Sequence, residues 1–97
     1  MIKYYNGEDF AEITKNKVII DFFATWCGPC RMLGKVFEDL EKDIDIDIIK
    51  IDTDKYPDLA REYGVMSIPT VLLFENNEVV KSNIGYMDKE KIKEFVK

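Results

Sequence analysis

The two cysteines of this 97-residue chain are the residues best suited to chemistry, because they stand three positions apart as Cys27 and Cys30. A secreted disulfide scaffold would carry more cysteines, spread along the chain. The chain has no histidine, which excludes Cys-His and Ser-His nucleophile pairs and removes the commonest neutral metal ligand. We therefore expect the pair to be catalytic or metal-binding rather than structural.

The local sequence predicts that Cys27 opens a helix directly after a buried strand. The first turn of a helix has unpaired backbone N–H groups and partial positive charge, which stabilise a thiolate, the species that attacks disulfides. We expect Cys27 to be exposed and to attack, and Cys30, one turn further in and against the protein, to be the resolving thiol. Pro29 lacks an N–H and has a fixed φ, so it suits this first turn.

Two other interpretations of the pair are considered. A plain buried cysteine pair is disfavoured, because a strand-to-helix junction is normally exposed. Half of a zinc site is the second interpretation, but zinc usually takes four ligands. The chain offers two thiols and no imidazole here. A zinc site would therefore need a second chain, and so would a metal or cluster carrier.

The hydrophobic pattern predicts the element order β-α-β-α-β-α-β-β-α, which is typical of an α/β fold. Strands separated by helices imply parallel pairing through right-handed crossovers, and the closing hairpin adds an antiparallel pair. The sequence thus predicts one domain over 1–97, with a mixed five-stranded sheet and helices on both faces. The predicted features are a strand over 2–5, a short helix capped by Asn6, a central strand over 18–24, a long helix from about 27 to 42, a strand over 44–52, a short helix between Pro57 and Gly64, a strand over 70–74, an Asn76-Asn77 turn, a strand over 79–84 and a final helix capped by Asp88.

Composition excludes several other classes of protein. The net charge is −5, and an acidic surface repels phosphate backbones, so we expect no nucleic-acid binding. No apolar run approaches the roughly 20 residues that span a membrane. The first residues have no apolar stretch like that of a secretory signal, so a cytoplasmic location is expected, although a mature secreted form could have lost its signal.

The segment Trp26-Cys27-Gly28-Pro29-Cys30, between strand and helix, resembles the active-site motif of the thioredoxin family. The resemblance runs along nearly the whole chain and implies a three-layer sandwich. It also implies a protein-disulfide reductase that needs no bound cofactor, acts on disulfide-containing proteins and is recycled by a thioredoxin reductase, as a monomer. Further matches to the family are Asp21, Lys50, Ile68-Pro69-Thr70 and Gly85.

Asp21 is the only charged residue of its apolar strand, six residues before Cys27. Burial would raise its pKa and make it a proton carrier near neutral pH, but the side chain could equally face solvent or simply pair with Lys50. The spacing alone does not separate these alternatives. The resemblance implies a buried acid near the resolving cysteine, tuned by Lys50, so that the residues expected to act in the reaction are Cys27, Cys30, Asp21 and Lys50.

The resemblance also implies a surface for binding protein substrates. Pro69 could be a strand-entry proline in the usual trans form, but the resemblance implies a cis bond facing the cysteines. The backbone of Ile68 would then pair with an extended substrate segment. The implied apolar rim could instead be core packing, above all at Ile84. The expected binding residues are Trp26, Gly28, Pro29, Val65, Ile68, Pro69, Gly85 and, with that reservation, Ile84.

Some residues depart from common family patterns without touching the chemistry. Lys35 stands where many members have a helix-kinking proline, and Phe23 where many have tryptophan. Thr53 replaces an apolar docking residue, so these departures bear on helix shape and on partner choice.

A binding module with incidental thiols is a competing function. Within the oxidoreductases, Gly28-Pro29 resembles reducing members rather than glutaredoxins, while oxidase and isomerase roles share the motif.

Overall fold

Nine elements make up the computed structural model, which describes residues 1–97. The strands and helices alternate until a final hairpin and helix, in the order that the hydrophobic pattern predicts. Their bounds are β1 (Ile2–Tyr4), α1 (Phe10–Ile13), β2 (Val18–Phe23), α2 (Gly28–Leu40), β3 (Asp47–Asp52), α3 (Pro57–Glu62), β4 (Thr70–Glu75), β5 (Glu78–Ile84) and α4 (Lys89–Phe95).

The five strands form one mixed sheet in the order β1-β3-β2-β4-β5. The pairs β1–β3 and β3–β2 are parallel, and β2–β4 and β4–β5 are antiparallel. All six residues of β2 are buried, as a continuous β-branched and aromatic run predicts for a central strand covered on both faces. The predicted α/β architecture is therefore confirmed.

Alternate residues of β2 belong to two separate cores, one on each face of the sheet. Ile19 packs with Leu33 and Phe37 of α2 and with Ile92 of α4. Ile20 and its neighbours of the same parity pack on the other face, under α1 and α3. Because strand side chains alternate between faces, Asp21 lies on the same side as Ile19, under α2.

The turn between β4 and β5 is formed by two asparagines with positive φ. Asn76 has φ 53° and Asn77 has φ 67°, which confirms the predicted two-residue hairpin. The backbone N–H of Asn77 donates to the Thr14 carbonyl at 2.9 Å, so the turn is tied to the end of α1. Asp88 caps α4 as predicted, with its side chain accepting from the Lys91 N–H.

Two local predictions are wrong. Asn6 does not cap α1; the cap is Asp9, whose carboxylate accepts from the Ala11 N–H at 3.3 Å, while the Asn6 N–H donates to Glu8. Strand β3 begins at Asp47 rather than residue 44, because only from there does it pair with β2. None of the four helices has the length and apolar character needed to cross a membrane.

Candidate active site

A disulfide between Cys27 and Cys30 lies at the start of α2, with Cα atoms 5.2 Å apart, so the structure represents the oxidised form. Cys27 has extended backbone angles and is the N-cap residue, and its Sγ accepts from the Cys30 N–H at 3.2 Å. Gly28 and Pro29 fill the first two helical positions. A proline there loses nothing, because these N–H groups have no partner within the helix.

Both sulfur-bearing residues are buried, which corrects the expectation that Cys27 is exposed. Cys27 is 5% exposed and Cys30 is 2% exposed. The reason is packing, since the pair forms a small apolar cluster with Phe23 and Ala24, against which Ile68 also packs. In the oxidised form, solvent accessibility therefore does not distinguish the roles of the two cysteines. Their positions do, since Cys27 is the N-cap residue and Cys30 lies within the first turn of α2.

The peptide bond between Ile68 and Pro69 is cis, as the resemblance implies. The Ile68 carbonyl oxygen lies 3.9 Å from Cys27 Sγ, which places this backbone directly beside the disulfide. The Pro69 carbonyl accepts from the Gly85 N–H at 2.7 Å. Gly85 has φ 99°, a conformation that glycine adopts at little cost. This hydrogen bond ties the end of β5 to the Ile68–Pro69 segment.

Asp21 is fully buried in the middle of β2, so the solvent-facing alternative is excluded. Its register partner on β3 is Lys50, whose Nζ lies 3.7 Å from Oδ2. Neither carboxylate oxygen receives a hydrogen bond from the protein. Burial raises the pKa of Asp21 to about 6, while the positive charge of Lys50 limits the rise. Asp21 therefore has both the ion pair with Lys50 and the raised pKa that were considered as alternatives.

An apolar surface surrounds the disulfide at the predicted rim. Trp26 is 68% exposed and Ile84 is 71% exposed, so the interpretation of Ile84 as core packing is wrong. Val65 and Ile68 are half-buried and line, with Trp26, a groove of about 210 Å³. Thr53, one of the departures from the family pattern, lines the same groove.

Sequence reasoning missed two residues of this surface. Asp54 accepts a hydrogen bond from Trp26 Nε1 at 3.0 Å and so fixes the orientation of the indole ring. Met66, which lines the groove, is almost fully exposed. An apolar residue two positions before Ile68 was a signal for Met66. No such signal existed for Asp54, whose partner Trp26 lies 28 positions away in the chain.

No group of three or more histidine, cysteine or acidic side chains is arranged to hold a metal ion. The two sulfur atoms are bonded to each other in this form. The chemistry that the arrangement can perform is therefore exchange of this disulfide with thiols and disulfides of other molecules, beside a buried carboxyl group that can take up a proton near neutral pH.

The chain matches the family model described as Thioredoxin over residues 1–97. It is 43% identical over 88 residues to a thioredoxin of Bacillus subtilis (strain 168), covering 89% of this chain and 85% of the relative. It is 42% identical to a thioredoxin of Listeria monocytogenes, covering 99% of this chain and 96% of the relative. Solved structures agree, since a thioredoxin variant from Halobacterium salinarum NRC-1 superposes with TM-score 0.88 at 37% identity, covering 98% and 87% of the two chains.

A second solved structure gives the same result. The thioredoxin of Malassezia sympodialis superposes with TM-score 0.86 at 32% identity and covers 99% of this chain and 88% of that chain. The family model matches residues 1–97, and the two solved structures superpose on 98% and 99% of the chain. The chain therefore belongs to the thioredoxin family, and through Cys27 and Cys30 it is a thiol–disulfide oxidoreductase that reduces protein disulfides.

Proposed function

We propose that the Cys27 thiolate of the reduced protein attacks a substrate disulfide. A sulfur–sulfur bond forms between Cys27 and one substrate sulfur, and the other substrate sulfur leaves as a thiolate and takes up a proton. Cys30 then loses its proton and attacks Cys27, which releases the first substrate sulfur as a thiolate. The substrate gains two electrons and two protons, and the protein ends with the Cys27–Cys30 disulfide.

The assignment of the two roles rests on the N–H of Cys30, which points at Cys27 Sγ over 3.2 Å. An N–H aimed at a sulfur stabilises negative charge on it, and the start of α2 adds the partial positive charge of the helix. Cys30 lies inside the first turn and receives no equivalent hydrogen bond. Cys27 is thus the better attacking and leaving thiolate, as the first and last steps require.

We assign Asp21 as the group that takes the proton from Cys30 in the second step, directly or through water. A carboxyl group whose pKa lies near 6 changes its protonation within reach of neutral pH, as a general base in this reaction must. Lys50 lowers the free-energy cost of ionising the buried carboxyl group, because its ammonium lies 3.7 Å from Asp21 Oδ2. Lys50 is therefore a tuning residue that does not touch the sulfur atoms.

Asp21→Asn is expected to slow resolution of the mixed disulfide about 100-fold at pH 7, the low end of what a general base contributes. The wild-type rate should fall as the pH drops through about 6, where the Asp21 carboxyl becomes protonated, whereas the Asn variant should lack this step. Single-turnover fluorescence with a model mixed disulfide, measured from pH 5 to 8, gives both rates. Identical profiles for the two proteins would remove Asp21 from the mechanism.

Substrates are proposed to bind as an extended segment across the disulfide. The Ile68 backbone beside Cys27 would pair with the backbone of the segment, as in strand addition. Trp26, Val65 and Gly85 would contact its side chains. Gly28 and Pro29, which lack large side chains at the helix start, would allow the segment to approach the sulfur atoms.

The partners are proposed to be disulfide-containing proteins and, for recycling, a thioredoxin reductase that draws electrons from a nicotinamide or ferredoxin source. The protein would act as a monomer in the cytoplasm, in electron transport and redox homeostasis. The relatives whose names match are thioredoxins throughout, which supports this assignment.

The redox potential of the pair tests the direction of the reaction. We expect the Cys27–Cys30 disulfide to stay oxidised in an excess of reduced glutathione and to be reduced by dithiothreitol, because a strong protein-disulfide reductase must be more reducing than glutathione. Equilibration with graded ratios of each couple, followed by thiol alkylation and mass measurement, gives the potential. A pair fully reduced by glutathione would instead indicate an oxidase or isomerase.

A further inference from the structure

Three residues on neighbouring strands form a row that leads from the sheet edge to the buried acid. Tyr4 of β1 is the register partner of Lys50 on β3, and Lys50 is the register partner of Asp21 on β2. Register partners of paired strands project to the same face of a sheet, here the face covered by α2. The Lys50 side chain therefore lies between an aromatic ring and a carboxylate.

The Lys50 ammonium is enclosed on several sides. Its Nζ lies 3.7 Å from Asp21 Oδ2, 4.8 Å from the ring centroid of Phe23 and 5.8 Å from that of Tyr4. The two rings contact each other edge to face, with centroids 5.8 Å apart. Rings at these distances attract a cation, so they hold the ammonium while it faces the carboxylate.

Helix α2 completes the enclosure with a glycine. Gly34 lies four residues after Cys30, and a Cβ atom at this position would stand 3.0 Å from Lys50 Nζ. Such a contact is tighter than most Cβ contacts, so the ammonium, at the end of a flexible side chain, would have to shift by a few tenths of an ångström. A glycine inside a helix costs about 1 kcal/mol relative to alanine. The space beside Lys50 is a physical reason for a glycine here.

We propose that Gly34 and Tyr4 are positioning residues for disulfide exchange: the glycine leaves the space, and the ring provides the attraction, that keep the Lys50 ammonium beside the Asp21 carboxylate. Neither residue touches the sulfur atoms, and both act through Lys50. The proposal rests on the proposed function to the extent that Asp21 takes the proton from Cys30. The placement of the ammonium itself can be tested independently of catalysis.

The direction of the effect follows from where a displaced ammonium can go. Asp21 is fully buried, so its carboxylate does not face solvent. The open side is a cleft of about 240 Å³ whose lining residues are Tyr4, Phe23, Ala24, Thr25, Cys30, Arg31 and Lys50. An ammonium pushed by a methyl group or released by loss of the ring moves into this cleft, away from Asp21, and the pKa of Asp21 rises further.

Few other charges face this pair. Arg31 on α2 lines the cleft, but its Nη1 donates to the Thr25 carbonyl at 3.0 Å, so it is already engaged. Asp52, two residues after Lys50 on β3, accepts from the Asp54 N–H at 2.9 Å. On the other sides, the neighbouring β4 residue is Val71, and α4 contributes Ile92, both apolar. Lys50 is thus the charge that governs Asp21.

The test is an NMR titration of the Asp21 side-chain carboxyl carbon in the oxidised protein. Gly34→Ala and Tyr4→Leu should each raise the midpoint by about 0.3 pH unit or more, whereas Tyr4→Phe, which keeps the ring, should leave it unchanged. Gly34→Ala should not lower the unfolding temperature, because alanine is the better helix former. A merely structural role for these residues would not move the titration of Asp21.

The control uses a chain in which the ammonium is absent. Adding Gly34→Ala to Lys50→Met should not change the Asp21 midpoint relative to Lys50→Met alone, since the methyl group then has no ammonium to displace. An unchanged midpoint in Gly34→Ala, or an equal shift in the Lys50→Met chain, would overturn the proposal. If the midpoints shift as expected but Asp21→Asn does not slow resolution, the placement stands and the catalytic assignment of Asp21 fails.

Discussion

Cys27→Ser is expected to abolish the reduction of insulin disulfides with dithiothreitol, leaving only the rate of dithiothreitol alone. Serine cannot form the mixed disulfide with which the reaction starts. Cys30→Ser, in contrast, should attack substrates and then stop, because no thiol remains to resolve the mixed disulfide. Insulin turbidity measures the first effect, and non-reducing gels followed by mass spectrometry measure the trapped complexes.

The two serine variants are matched controls for each other, because both lack the Cys27–Cys30 disulfide and share any loss of stability that follows. A difference between them therefore reports the role of the sulfur atom and not the disulfide. Trapping by Cys27→Ser instead of Cys30→Ser would reverse the assignment. Partner binding that persists undiminished in the double serine variant would favour the binding module over the enzyme.

The stability of Asp21→Asn relative to the wild type is expected to be greater at pH 8 than at pH 4 by about 2 kcal/mol, most of the free energy that corresponds to the Asp21 pKa shift. The carboxyl has a pKa of about 6 when folded, above its ordinary value of 3.8. The native state therefore holds its proton longer than the unfolded state, and stability falls as the pH rises from about 4 to 6, then stays reduced. Asparagine does not ionise and avoids this loss.

Urea unfolding of the oxidised proteins at pH 4 and pH 8 measures this difference. Comparing the two pH values cancels the constant cost of placing a buried amide beside Lys50, because that cost is present at both. The matched control is Asp45→Asn, which removes the same charge from an exposed position. If the free energies of unfolding of Asp21→Asn and the wild type differ by the same amount at pH 4 and pH 8, the folded protein does not disfavour the ionised carboxylate of Asp21.

The sequence predicted the elements well where one physical signal dominates. The continuous apolar run of β2 and the asparagine pair of the hairpin each permit few other structures, and both appear as expected. The start of α1 was missed because Asn6 and Asp9 are both good caps, and the choice depends on which backbone N–H groups a folded chain brings into reach. The start of β3 was missed because pairing with a neighbouring strand, and not β-propensity alone, determines where a strand begins.

The site shows a similar division. Local spacing placed Cys27 and Cys30 at the helix start, but their burial depends on Ile68, which is distant in sequence and packs against them. The environment of Asp21 is likewise non-local, because Lys50 and Tyr4 reach it only through strand register. The sequence did not indicate a role for Gly34, since the role of a glycine in a helix depends on which side chain packs against it in the folded protein.

The burial of both sulfur-bearing residues in the oxidised form has a consequence for which molecules receive or supply electrons. A small thiol or disulfide that collides with the protein at random seldom reaches the sulfur atoms of Cys27 and Cys30, because both residues are buried. A protein that docks on the surface around Trp26 and Ile68 stays long enough for the sulfur atoms to meet. Limited access to the oxidised pair therefore slows its reaction with small thiols relative to its reaction with proteins that dock beside it.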